Sequence, residues 1–410
     1  MALPGEVDQG HPAVNGGRAA DVVVIGGGVV GSSAAWRLRE DGFTGRIVVV
    51  ERDRSYARAS SFLAMGGIRQ QFASAVCVRM VQHSVRLWRE FDTRMRTVTH
   101  APHAWFRQRG YLFLADDTNA AALAARETAQ ADAGAVQQRL SVDAIRALVP
   151  GLALDDIRFG LFGADDGYAN PREVLFGFRA AAEAAGVEYV EDVVGGVQTC
   201  GGRVTGVALA SGARLDAPVI VNAAGAQAGR VAALAGLSVP VEPVRQLLFR
   251  CTLPHTWPSR FPMVIDPGGV HWRHDDALAP GDPDRIILAF TKWDEPAGEN
   301  LDCDDVRWET EFYPALIRRL PAAVDVSDVH GWAGHYEMTP DHNPVLGEHP
   351  SLDGFIFASG FSGHGLMMSP ATGLVVSELV RLGESRTFDI APFAVDRFER
   401  GALVRDGATI

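Results

Sequence analysis

Two stretches at opposite ends of the chain carry residue types and spacings that can do chemistry. Near the N-terminus, "VVVIGGGVVGSSAAWRLREDGFTGRIVVVER" sets Gly26, Gly28 and Gly31 in GxGxxG spacing, with Glu51 twenty residues after Gly31. The first glycine allows a tight turn, the second lets backbone approach a pyrophosphate, and the third lets a helix pack on a strand. A helix opening at this loop, around Val30, turns its N-terminal end toward the phosphates. An acid closing the next strand accepts ribose hydroxyls. Strand, loop, helix, second strand and terminal acid together are the chemistry of dinucleotide binding.

Near the C-terminus, "FASGFSGHGLMMSPATG" places Gly360, Gly363 and Gly365 between an apolar strand and a helix that begins with two methionines. In the middle, "PVIVNAAGAQAG" ends a third apolar run at Ala224 and Gly225 without GxGxxG spacing, so no second, nicotinamide-binding unit is visible.

The elements that must hold these segments follow from their patterns. "DVVVI" and "RIVVVE" are short β-branched runs, the signature of buried parallel strands, and "SSAAWRLRED" between them is helical. "AVCVRMVQHSVRLWREF" has helical apolar spacing, "GYLFLA" is a strand, and "TNAAALAARETAQADAGA" is an exposed helix. "SVDAIRALVPGL" is a short helix, and "REVLFGFRAAAEAAGVEYVED" a helix and then a strand. "GGRVTGVALASGARLDAPVIVN" reads as a hairpin leading into a buried strand. "RQLLFRCTL" and "RIILAFTKW" alternate as antiparallel strands, "GFIFASG" is a last buried strand, and "SPATGLVVSELVRLG" a last helix. Parallel-sheet signals early, in the middle and late imply one nucleotide-binding domain assembled from separate segments. The expected division is a disordered leader over 1–20, a nucleotide-binding domain over 21–95, 155–235 and 333–385, a substrate domain over 96–154 and 236–332, and a tail over 386–410.

With 410 residues, a net charge of −12 and no basic run, nucleic acid and anionic membranes are not expected partners. Residues 1–20 lack the apolar core of a signal peptide, and no apolar run reaches membrane-spanning length. Cys77, Cys200, Cys251 and Cys303 show no metal-ligand or paired spacing, so no metal site is expected and a reducing, cytoplasmic location fits.

In order and spacing, the N-terminal fingerprint, "SSFLAMGGIRQQF", "NAAGA" and "GFSGHGL" resemble the D-amino-acid-oxidase-like flavoproteins, which include sarcosine oxidases, glycine oxidase and dimethylglycine dehydrogenase. "GGIRQQF" with "GFSGHGL" resembles especially the branch of mitochondrial FAD-dependent oxidoreductase domain proteins. The resemblance spans about residues 20–385. It implies an α/β plus β fold: a discontinuous Rossmann-like FAD-binding domain of the glutathione-reductase type with an inserted antiparallel-sheet substrate domain. It also implies that Gly26, Gly28, Val30, Gly31, Glu51 and Arg52 hold the ADP half of FAD. Ser60 and Ser61 would reach the pyrophosphate, and Gly66, Gly67 and Ile68 would run along the flavin. Val193 would bond the adenine, and Ala224 and Gly225 would close the strand end. Gly360, Phe361, Gly363, His364, Gly365, Leu366 and Met367 would pass the flavin ring, where the following helix aims its positive end at the side that gains charge on reduction. Leu63 and Gly334 stand where relatives tether FAD, so FAD is expected to be non-covalent.

The implied activity is oxidation of a C–N bond in a secondary or tertiary amine or amino-acid-like substrate, by hydride transfer to flavin N5 to give an imine. Oxygen or an electron-transfer acceptor would reoxidise the flavin. Tyr336 matches an active-site tyrosine of sarcosine-oxidising relatives, and Trp272, Tyr336 and His335 would form an aromatic wall, with His364 a candidate proton donor. Two carboxylate-binding cations of those relatives are replaced by Phe72 and Met367, expected to make an apolar wall, which leaves Arg69, Arg245 and Arg273 as candidates for a carboxylate. The oxygen-activating lysine is replaced by Ile287, and Lys292, the only lysine, is the alternative for oxygen or substrate. A flavin-bound assembly or interaction protein without turnover, and an aromatic hydroxylase, are the rival functions.

Overall fold

The computed structural model describes residues 18–254, 260–275, 284–290 and 295–404. Lys292 and most of the expected leader lie outside them.

Apolar β-branched runs form the centre of a ten-stranded sheet. Val22–Ile25 and Ile47–Glu51 pair in parallel, and every residue of both strands is buried. Val219–Asn222 pairs in parallel with Val22–Ile25 on one side and with Leu352–Ser359 on the other. Burying each such Val or Ile side chain contributes about 1.5–3 kcal/mol, which fixes the register of this core. Glu188–Glu191 extends the sheet beyond Ile47–Glu51. Segments from three parts of the chain therefore share one sheet.

Two helices rise from this sheet side by side. Val29–Glu40 follows the first strand, and Gly365–Leu382 follows Leu352–Ser359. They touch closely because Gly373 has no side chain: a Cβ there would stand 2.9 Å from the Ser33 carbonyl oxygen. Ser33 Oγ donates to the Ser369 carbonyl at 2.8 Å across the same seam. Pro370 sits inside the second helix, and the Leu366 carbonyl, which its missing N–H cannot reach, accepts from Ser369 Oγ at 2.9 Å.

The second sheet has eight strands, in the order Ser327–Met338, Glu242–Thr252, Arg285–Phe290, Val270–His274, Met263–Ile265, Tyr111–Ala115, Phe159–Gly163 and Gln138–Leu140. All its pairings are antiparallel except that of Met263–Ile265 with Tyr111–Ala115. One face packs on the apolar cluster of Phe249, Trp272, Leu288, Trp308 and Phe312; the other faces the parallel sheet.

Sheet membership moves three expected boundaries. Phe159–Gly163 and the whole of Ser327–Met338 belong to the second sheet, so the segments change after Gly163 and after Met338, not at 155 and 333. Arg18–Ala19, expected in the leader, pair with Leu215–Asp216. The segment beyond 385 is docked: Phe388, Phe393 and Val395 are buried, and Arg397 makes a buried ion pair with Asp341 at 2.8 Å. The helix over Ala120–Asp132 is not wholly exposed, because Leu123, Arg126 and Gln130 are buried.

Candidate functional site

A cavity of about 220 Å³, lined by residues of both sheets and open to solvent on one side, lies between them. The Gly26–Gly28 loop opens its outer end. Gly26 adopts φ +97°, a left-handed conformation suited to glycine, and a Cβ there would strike the Ala223 carbonyl oxygen at 2.4 Å. Gly31 does not line the cavity, and its Cβ would meet the Gly26 carbonyl oxygen at 2.0 Å, so it serves helix packing. Gly28 is different: the nearest heavy atom to its Cβ position is Ser61 Oγ at 3.5 Å, leaving the helix N-terminus open to the cavity. Ser61 Oγ accepts the Val29 N–H at 3.1 Å, and Val30, Arg52, Ser60, Ser61, Ala224 and Gly225 line the same end. Glu51 sits behind the loop. Its two carboxylate oxygens accept the N–H groups of Gly27 at 2.8 Å and Asp53 at 3.0 Å, and burial raises its pKa.

Gly66, Gly67, Gly363, Gly365, Leu366 and Met367 line the inner end, where the second helix begins. The loop carrying Gly66 is pinned from beneath. Ala169 donates to the Gly66 carbonyl at 2.9 Å, and the Arg273 guanidinium donates to the Met65 carbonyl at 2.9 Å while stacked over Tyr168. Arg273 is thereby a structural cation buried under the loop. Arg245 pairs with Glu295 at 3.1 Å and does not line the cavity either.

Of the three arginines considered for a carboxylate, Arg69 reaches the cavity. It is 4 % exposed. Nη1 donates to the Gln71 carbonyl, Nη2 stands 3.1 Å from His364 Nε2, and Phe72 lies beneath its guanidinium at 4.3 Å. A guanidinium can only donate, so His364 Nε2 accepts and the imidazole is neutral. Burial and the Arg69 charge both hold its pKa well below the ordinary value. His364 therefore orients Arg69 rather than carrying a transferable charge. Phe72 is not the expected cavity wall: it is 2 % exposed and packs under Arg69 and edge-on to His364. Met367 does line the cavity. Asp166, fully buried with a pKa pushed up to about 7 by burial, accepts the Gln70 N–H at 2.8 Å and a Gln71 amide N–H at 3.0 Å, which holds the Arg69 loop in place.

The second sheet supplies Tyr111, Gln246, Leu248, Met263, Ile265, His271, Ala289, Tyr336 and Glu337 as the remaining walls. Tyr336 packs on Gly363, where a Cβ would come within 2.7 Å of the ring. Burial raises the pKa of both Tyr111 and Tyr336, so both hydroxyls keep their protons. Glu337 lies under the second helix N-terminus and accepts the Gly360 N–H at 2.9 Å; burial pushes its pKa up to about 7.

Trp272 is a correction. It is 0 % exposed and belongs to the far-side core, because successive strand residues face opposite ways. His271, one residue earlier, faces the cavity in its place, and His335 also lines it. Val193 stands outside the cavity, 49 % exposed, its amide donating to Asp192 and its carbonyl accepting from Ala210. Ile68, Gly360 and Phe361 lie behind the lining. Ile287 is buried in the cluster that backs the wall. Tyr111, Gln246 and His271 were missed; strict alternation along "GVHWRH" was the available signal for His271. No described residues form a cluster able to hold a metal ion, and no described helix is long and apolar enough to cross a membrane.

The model of the DAO family, described as FAD dependent oxidoreductase, matches residues 21–379. FAD-dependent oxidoreductase domain-containing protein 1 of Bos taurus is 31 % identical, over 94 % of this chain and 86 % of its own. Glycine oxidase of Geobacillus kaustophilus is 26 % identical, over 92 % and 97 %. The crystal structure of L-proline dehydrogenase from P. horikoshii superposes with a TM-score of 0.85 at 28 % identity, covering 95 % of this chain and all of that one.

Proposed function

The chain belongs to the DAO family of FAD-dependent oxidoreductases, and from that premise we propose that it oxidises the C–N bond of an amino-acid-like amine, secondary or tertiary, whose carboxylate is held by Arg69. The cavity fits the cofactor. It is long, it is open at Gly28 where a pyrophosphate must touch backbone, and it receives two helix N-termini, each of which favours negative charge. Gly26, Gly28, Val30, Ser60 and Ser61 would hold the phosphates, Arg52 the ribose end, and Gly66, Gly67 and the segment from Gly363 to Met367 the ring. Bound there, FAD supplies the acceptor for the substrate's hydride, and water hydrolyses the resulting imine.

The protein's own contribution is binding, orientation and exclusion of water. Arg69, aimed by His364 and supported by Phe72, fixes a carboxylate. Leu248, Met263, Ile265, Ala289 and Met367 provide an apolar enclosure for the rest of the substrate. Tyr111 and Tyr336 keep hydroxyl donors within it. No strongly basic group is needed if the amine binds uncharged. The names of the relatives, an L-proline dehydrogenase and a glycine oxidase, support an amino-acid substrate.

The observation that carries the proposal is a buried cation on the wall of this otherwise largely apolar cavity. The test is anaerobic bleaching of the flavin by a panel of secondary and tertiary amines with and without a carboxylate. Carboxylate-bearing substrates should bleach fastest, and Arg69→Gln should weaken their binding by about 10- to 150-fold, the worth of a charge-assisted bond of roughly 1.5–3 kcal/mol. Absence of bleaching by every amine would favour a flavin-bound interaction protein. Admitting air afterwards separates an oxidase, which recovers its colour quickly, from a dehydrogenase.

A further inference from the structure

His271 is a cavity group with no role so far. It lies on Val270–His274, between Met263–Ile265 and Arg285–Phe290, and its cross-strand partners are Ile265 and Ala289. Both partners are apolar and both line the same cavity. The side chain is 4 % exposed.

Its tautomer is set by the chain. Nδ1 stands 3.0 Å from the Gly269 carbonyl oxygen. A carbonyl oxygen can only accept, so Nδ1 carries the proton and Nε2 keeps its lone pair. Among the described residues no hydrogen bond reaches Nε2. The ring is also held neutral: burial first, and the charge of Arg69 in addition, hold its pKa at about 4. The cavity thus presents a fixed donor cation, Arg69, and a fixed neutral acceptor close enough to feel that cation.

An acceptor and a cation lining one cavity select a ligand with the converse pair, a carboxylate and an N–H. We infer that His271 Nε2 is a specificity-determining acceptor for the substrate's amine N–H, so that the site favours amino acids whose uncharged nitrogen still bears hydrogen over tertiary amines. This rests on Arg69 holding the carboxylate. An imidazole that protonates only in acid is too weak a base to remove the proton; it orients the nitrogen and refuses a ligand that puts a lone pair there instead. A buried acceptor facing another lone pair is left unsatisfied, which weakens binding beyond the lost bond.

The test uses the FAD-loaded protein and two probes of the same ring size, pyrrole-2-carboxylate and 2-furoate. One has a ring N–H and the other an oxygen at that position. Binding is read by perturbation of the flavin absorbance and by thermal shift. Wild type should bind pyrrole-2-carboxylate about 10-fold more tightly, a difference of about 1.4 kcal/mol. His271→Phe should bring the two within about twofold, and His271→Gln, which keeps an acceptor, should restore part of the preference. Arg69→Gln should weaken both probes alike. Equal affinities in wild type, or an undiminished preference in His271→Phe, would overturn the role of His271 while leaving that of Arg69 standing. If neither probe binds and Arg69→Gln changes nothing, the carboxylate assignment fails and the role of His271 falls with it.

Discussion

Gly28 caps the helix Val29–Glu40 and Gly31 lies in its first turn, and the structure gives them opposite sensitivities. A Cβ on Gly31 would sit 2.0 Å from the Gly26 carbonyl oxygen and 3.2 Å from Val24 Cγ1. Backbone stands in the way, so the helix must shift off the sheet; overpacking of this kind costs about 1–3 kcal/mol or more. At about 2.1 cal/mol/K of unfolding entropy per residue, a chain of this length loses on the order of 1 °C in Tm per kcal/mol. Gly31→Ala should therefore lower the Tm of the apoprotein by a few degrees. A Cβ on Gly28 meets only Ser61 Oγ at 3.5 Å, an ordinary contact, and Gly28 has an extended φ of −62° that any residue adopts. Gly28→Ala should leave the apoprotein as stable as wild type, or raise its stability by a few tenths of a kcal/mol through the unfolded chain. Its methyl group occupies the approach of the pyrophosphate, so the same 1–3 kcal/mol now appears as a loss of about 5- to 150-fold in FAD affinity. Gly28→Val should extend that loss. Differential scanning calorimetry of the apoproteins and FAD titration by fluorescence quenching separate the two effects. A Gly28→Val protein that folds and binds FAD like wild type would refute the pyrophosphate assignment. A destabilised Gly28→Ala apoprotein would refute the open space at the helix N-terminus.

Three further outcomes are expected. Leu63 and Gly334 face each other across the cavity wall, 3.3 Å from Leu63 Cβ to a Cβ position on Gly334, and neither has a group to attack a flavin; acid or heat should release all the flavin as intact FAD, and flavin remaining with the precipitated chain would show a tether. Glu337 has its pKa raised from 4.5 to about 7 by burial, partly opposed by the Gly360 and Phe361 N–H groups. Its contribution to stability is thus fully present below about pH 4.5 and is lost as pH rises through about 7; the apoprotein's Tm advantage over Glu337→Gln should shrink across that window, whereas a constant difference would mean the carboxyl is ionised throughout. Met367→Lys should improve binding of glycine or sarcosine by about 10-fold or more, the lower bound for a charge-assisted bond, while Phe72→Arg should lower the Tm, because it places a second cation against the buried Arg69; equal stability of Phe72→Arg and wild type would contradict the packing beneath Arg69.

The sequence by itself determined the local elements and the fold class. Runs such as "VVVI" and "IVVVE" have no stable place except a buried parallel sheet, and GxGxxG with its flanking strand and helix needs only near neighbours to be read. The pairing of the chain's two ends, with Leu352–Ser359 one strand away from Val22–Ile25, and the seam between Gly373 and Ser33, were implicit in the order of parallel-strand signals but acquired contacts only through folding. What the tertiary structure alone decided is where side chains point and what they meet. Arg69, Arg245 and Arg273 are the same residue type in the sequence; one reaches the cavity, one joins an ion pair with Glu295, and one holds the Met65 carbonyl. Trp272 went to the core and His271 to the cavity because a strand turns each residue to the face opposite its neighbour, and which face is the core depends on the sheet packed against it. Phe72 became a support and His364 a neutral acceptor because both sit beside a guanidinium nearly 300 residues from His364 along the chain, at 3.1 Å in space. Hydrogen-bond direction and burial act over a few ångströms, and only the folded chain says which residues come that close.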